Sequence, residues 1–196
     1  MIETAKGIPE FNELGNLPHK CYEVTLEEIK EKLVDNFPDS KTRASRFECF
    51  LNFYNELLIN VKSCTVFLID GSFVTNKKNP RDVDFTITIN SSKLTENEIN
   101  YLNHIIREKT ENRKEFLKFE SLAKQGMIKE DSLYNLKFYK KGCDFFYIEK
   151  YPINHPYFYK YQNNKEEWID WWGHDREGEE KGFLKLIANY EGDLNE

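Results

Sequence analysis

Two short apolar runs separated by a glycine turn and a polar loop constrain this chain most. The block from Cys64 to Asn90 reads CTVFLIDGSFVTNKKNPRDVDFTITIN. Cys64 to Ile69 is rich in aliphatic and aromatic residues, as a buried strand requires, and it stops at Asp70-Gly71-Ser72. Glycine there permits a sharp turn or a close backbone approach, and Ser72 adds a hydroxyl beside freed backbone N–H groups, the outline of a phosphate cradle. Ten positions after Ser72 come Asp82-Val83-Asp84, then the alternating run Phe85-Thr86-Ile87-Thr88-Ile89, a second strand. Strand residues two apart point to one face, so the spacing predicts that Asp82 and Asp84 project side by side. Adjacent carboxylates repel unless a cation lies between them, and hard oxygen donors suit Mg²⁺ or Mn²⁺.

The rest of the sequence supports that block. Thr25 and Glu28 form a capping box ahead of Leu26, Ile29, Leu33 and Val34, which share one helical face until Phe37-Pro38 stops it. A longer helix follows from Ser40, with Phe47, Phe50, Leu51, Tyr54, Leu57 and Leu58 as its buried stripe. Thr95 and Glu98 form a second capping box, opening a helix with Ile99, Leu102, Ile105 and Ile106 inward. Another helix is predicted from Glu111 to Gln125, carrying Phe116, Phe119 and Leu122. Ser132 to Lys140 then reads as a strand in a hairpin with Cys143 to Glu149, turning at Lys140-Lys141-Gly142. Asp144 enters the second of these strands. The first 21 residues, with two glycines and two prolines, read as an extended arm lying on the domain.

The order strand, Gly-Ser, about ten residues, Asp-x-Asp and strand resembles the nucleotidyltransferase superfamily that includes DNA polymerase β and small bacterial nucleotidyltransferases. That family has a third carboxylate on a neighbouring strand, a part for which Asp144 in Gly142-Cys143-Asp144-Phe145-Phe146 is the match. Gly-Asn-Leu-Pro near the N-terminus, IDGSFVTNKKNPRDVDF, CDFFYI and HDREGEEKGF together extend the resemblance to compact, largely uncharacterised bacterial proteins with such a core. It implies an α/β (α+β) fold with a mixed β-sheet flanked by helices and an N-terminal helical extension. It also implies metal-dependent transfer of an NMP group from an NTP to a hydroxyl, with Mg²⁺ (or Mn²⁺) held by Asp82, Asp84 and Asp144. Gly71 and Ser72 would hold phosphates. The acceptor is not encoded in readable residues; a protein, as in the toxin–antitoxin pairs such enzymes form, ranks ahead of a tRNA.

Around that core, Lys77, Lys78 and Arg81 are candidates for offsetting triphosphate charge or form a solvated turn; Arg176 and Lys181 are phosphate candidates or members of a structural salt-bridge cluster. Asp70 reads as a strand-end residue rather than a ligand, and the four histidines lack metal-ligand spacing. The stretch YPINHPYFYKYQ, residues 151–162, reads as an aromatic loop. It either clasps the core or stacks on a base, worth roughly 1–3 kcal/mol per base. From Asn164 a helix follows with Trp168, Trp171 and Trp172 inward, then a strand-like run from Phe183 to Ala188.

At 196 residues the chain fits one domain: arm and helices in 1–60, core in 61–150, and aromatic loop, helix and strand in 151–196. Its 32% charged and 39% hydrophobic content is that of a soluble domain, and no membrane span or secretory leader is readable, so a cytoplasmic protein is expected. A net charge of −6 disfavours a broad DNA-binding surface. Four scattered cysteines predict thiols rather than a disulfide framework. The rival function is a nucleotidyltransferase-fold module that binds a nucleotide or a protein partner without turnover; a phosphohydrolase fits the motif order less well.

Overall fold

In the computed structural model, which describes residues 2–127 and 142–188, helices flank both faces of a mixed six-stranded sheet. The strands are β1 (Thr4–Lys6), β2 (Cys21–Glu23), β3 (Cys64–Asp70), β4 (Val83–Asn90), β5 (Cys143–Lys150) and β6 (Phe183–Ile187), in the spatial order β1-β2-β6-β3-β4-β5. β3 runs antiparallel to β4 and β6, whereas β4 and β5, β2 and β6, and β1 and β2 pair in parallel. The N-terminal arm thus supplies two strands. Each has only three residues, too few to display an alternation.

Helix α1 (Leu26–Lys30) is opened by the Thr25–Glu28 capping box and continues as a wider turn through Glu31–Asp35. Helix α2 (Arg43–Asn60) buries Phe47, Phe50, Phe53, Tyr54 and Leu57 against the sheet. Its phenylalanines meet Phe67 of β3, Phe85 of β4 and Phe145 of β5 at centroid distances of 5.1–6.3 Å, the edge-on packing that aromatic quadrupoles favour.

Four sequence expectations are corrected. A single helix, α3 (Glu96–Lys124), replaces the two expected around Ile106 and Glu111, because the polar run between them contains no glycine or proline to break it. Leu102 and Ile105 are buried, but Ile99 is exposed. The capping-box carboxylate of Glu98 also accepts from the Ser63 amide at 2.9 Å, tying the start of α3 to the entry of β3. The aromatic stretch is a loop only to Tyr157: α4 (Phe158–Trp172) starts within it, since both prolines fall before its first residue. Trp168 and Trp172 pack inward on Phe146, whereas Trp171 is exposed. The expected strand Ser132 to Lys140, its hairpin, and the side chains of Phe116 and Phe119 lie outside the described residues.

The alternation along β4 divides the faces. Val83, Phe85, Ile87 and Ile89 turn to α2 and α3, while Asp84 and Thr86 turn to the face carrying α4. Trp172 Nε1 donates to Thr86 Oγ1 at 2.9 Å, so α4 ends one strand repeat away from Asp84.

Candidate functional site

Register builds a row of acids. Asp70, at the end of β3, stands opposite Asp84 in β4, and Asp84 stands opposite Asp144 in β5. Paired residues of neighbouring strands project to the same face, so three carboxylates lie side by side across the sheet, with Asp82 two positions before Asp84. The row sits at the end of the α4 face where β3 turns out of the sheet. The turn is a single 3₁₀ coil, Gly71–Val74. Gly71 has φ +76° and lies so close to Asp84 that an added Cβ would stand 2.0 Å from Oδ2. Only glycine satisfies both demands.

The chain supplies most of the row with its own cations. Lys181, which precedes β6, is buried and bonded to the buried Asp70. Lys109 of α3 places Nζ 2.6 Å from Asp144 Oδ1, and Arg81 Nε lies 3.6 Å from Asp82 Oδ2. Asp84 has no ion pair among the described residues, and the exposed Arg176 offsets its neighbours only weakly. Burial, reinforced by Asp82, Asp144 and Asp70, pushes the Asp84 carboxyl up to about 8. Burial likewise pushes Asp70 up to about 6 against the pull of Lys181, and raises Asp82 against that of Arg81.

The loop from Gly71 to Asp82 is held from beneath by Arg43, a fully buried residue. Its Nη1 donates to the carbonyls of Leu33 and Phe73, each at 2.8 Å, and its Nη2 to those of Thr75 and Lys77 at 2.5 and 2.7 Å. The guanidinium also lies 3.8 Å from the Phe37 ring centroid. From above, Gly15 O accepts from the Asn76 amide at 2.8 Å, and Asn16 Nδ2 donates to Asp175 at 3.1 Å, joining the N-terminal arm, the Gly71 loop and the segment carrying Arg176.

These placements sort the candidates. Gly71, Ser72, Asp82, Asp84, Asp144 and Arg176 gather at the row. Lys78 instead faces Asp39 at 3.8 Å, ahead of α2, and Lys77 is exposed with its carbonyl turned to Arg43. Lys181 reaches the row but is spent on Asp70. Sequence reading passed over Lys109 and Arg43, although each carried a signal. Lys109 completes the inward stripe Leu102, Ile105, Ile106, and Arg43 lies four residues before Phe47 on the inward face of α2; a cation at an apolar position of a helix implies a specific partner.

Hard carboxylate oxygens in this number suit a divalent cation in donor chemistry, and among the described residues no cation pairs with Asp84. As they stand, however, no three His, Cys, Asp or Glu side chains among the described residues are arranged to hold a metal ion. The lysine contacts hold Asp70 and Asp144 instead.

Fold and site together define a mixed-sheet α/β domain with an acidic row beside a glycine turn. The chain belongs to the Family of unknown function (DUF6932), whose model matches residues 9–187. Neither the curated proteins nor the solved structures yield a match to it. No described helix is long and apolar enough to cross a membrane.

Proposed function

We propose that this chain is a Mg²⁺-dependent nucleotidyltransferase that moves an NMP group from an NTP to a hydroxyl acceptor. The observation that supports it most is the position of Asp84, ionisable, without an ion pair among the described residues and flanked by Asp70, Asp82 and Asp144 next to the Gly71 turn. Asp82, Asp84 and Asp144 are the proposed metal ligands. A bound divalent ion would neutralise the triphosphate and favour displacement at its α-phosphorus. Gly71 lets the backbone approach the phosphates closely, Ser72 offers its hydroxyl, and Arg81 and Arg176 offset charge. Lys77, Lys78 and Lys181 are left out of the phosphate site because of the contacts described above. In the transfer, the acceptor hydroxyl gives up its proton to water as its oxygen bonds to the α-phosphorus, the bond to the bridging oxygen breaks and pyrophosphate leaves. A protein or tRNA hydroxyl in a toxin–antitoxin setting, in the cytoplasm, is the proposed acceptor.

The test is pyrophosphate release and NTP binding with and without Mg²⁺, in wild type, Asp84→Asn and Asp144→Asn. Mg²⁺-dependent signal lost in both variants is expected; equal signal in all three removes the assignment. A second reading, a nucleotidyltransferase-like module without turnover that binds a nucleotide or protein, is favoured by Lys109 and Lys181, which neutralise two of the four acids. It predicts nucleotide binding that survives both substitutions.

A further inference from the structure

Lys109 reaches the acidic row from an unexpected side. Helix α3 packs through Leu102 and Ile105 on the face opposite the carboxylates, so its lysine must pass around β5, the strand that ends the described sheet. There Nζ meets Asp144 Oδ1 at 2.6 Å, donates to the Phe145 carbonyl, and lies 3.9 Å from the Phe146 ring centroid. The lysine side chain is only 18% exposed and that of Asp144 12%. Carboxylate, carbonyl and aromatic face all meet this one ammonium.

A divalent ion held by Asp144 and Asp84 would need oxygen atoms of the same carboxyl group, with metal–oxygen distances of about 2.0–2.1 Å for Mg²⁺. An ammonium bonded to that group would then lie within about 4 Å of the ion, where like charges repel strongly in a poorly solvated site. The two cations are therefore alternatives. We infer that Lys109 is an internal competitor for the metal at Asp144, so that metal entry and release of Lys109 from the Asp144–Phe145 contacts are one linked event. This rests on the proposed metal site. Once displaced, the Lys109 ammonium lies next to the row on a long, flexible stem, placed to meet the phosphates that arrive with the metal. Metal alone should consequently bind weakly, and metal with NTP more tightly.

Two measurements on the full chain test this. Mn²⁺ binding is followed by calorimetry or electron paramagnetic resonance in wild type, Lys109→Met, Lys109→Arg and Asp84→Asn, with far-UV circular dichroism to verify folding. Removal of a like charge within about 4 Å predicts a gain of roughly ten-fold or more in Mn²⁺ affinity for Lys109→Met, and little gain for Lys109→Arg. In the unmodified protein, acylation of Lys109 by an amine reagent, read by peptide mass spectrometry, should speed up several-fold when Mn²⁺ and NTP are added. Wild-type Mn²⁺ binding that depends on Asp84, with affinity unchanged or weakened in Lys109→Met and acylation unaffected by Mn²⁺, overturns the competition while leaving the metal site in place. Absence of Asp84-dependent Mn²⁺ binding in both wild type and Lys109→Met overturns both.

Discussion

Replacing Asp84 with asparagine should stabilise the protein in the absence of metal, although it removes a central member of the site. The Asp84 carboxyl, ordinarily near 3.8, is pushed up to about 8 by burial and then by Asp82, Asp144 and Asp70. The native state therefore binds more protons here than the unfolded chain between about pH 4 and pH 8. Stability from this group is complete below the unfolded value and is lost as pH rises through the folded one. The span is roughly four pH units at ~1.4 kcal/mol each, which sets a ceiling of about 6 kcal/mol. With an effective dielectric near 20 and protons shared along the row, the penalty that wild type has accumulated by pH 8 is about 2–3 kcal/mol. Asparagine keeps the shape and cannot ionise. In urea unfolding with EDTA, Asp84→Asn should exceed wild type by that amount at pH 8, roughly 4–10 °C in Tm for a chain of this size, and match it near pH 4. A variant less stable than wild type at pH 8 would refute the electrostatic account of the row.

Gly71→Ala combines a disfavoured φ with a Cβ 2.0 Å from Asp84 Oδ2, so a loss of about 2 kcal/mol or more is expected in denaturant unfolding. Arg43→Met leaves buried carbonyls without their donor and should cost about 3 kcal/mol or more, with faster amide hydrogen exchange concentrated between Gly71 and Asp82. Phe85→Ala opens a cavity among Phe50, Phe53, Phe67 and Phe145 and should cost about 3–5 kcal/mol, measured by the same unfolding with the near-UV signal as a second probe.

Much of the architecture is written in local patterns. The stripe of α2, both capping boxes, the apolar run of β3 and the alternation of β4 follow from local sequence alone, since an element that buries one face repeats its apolar residues at its own period and a strand buried on both is apolar throughout. What escaped depends on distance along the chain. β1 and β2 are too short to show a period and exist because β6 pairs with β2. The parallel register that sets Asp84 opposite Asp144 joins residues 60 positions apart, and nothing in either segment specifies it. The start of α4 was obscured by prolines that proved to lie ahead of the helix. Lys109 and Arg43 were legible in principle, as cations on apolar stripes, but their partners are contributed by other elements. The Asp82–Asp84 spacing and the Arg81–Asp82 pair are local; the lysines that meet Asp70 and Asp144 are not.

The strand order carries a consequence for biosynthesis. β6, at residues 183–187, lies in the interior of the sheet between β2 and β3, so the latest of the described strands to leave the ribosome is the one that joins the two halves. Until it emerges, β1 and β2 have no β3-linked sheet to pair with, and Asp70 lacks Lys181. Nascent chains halted before Lys181 should therefore expose the flank of β3 to proteases and chaperones, and protection should arrive in one step when this strand inserts.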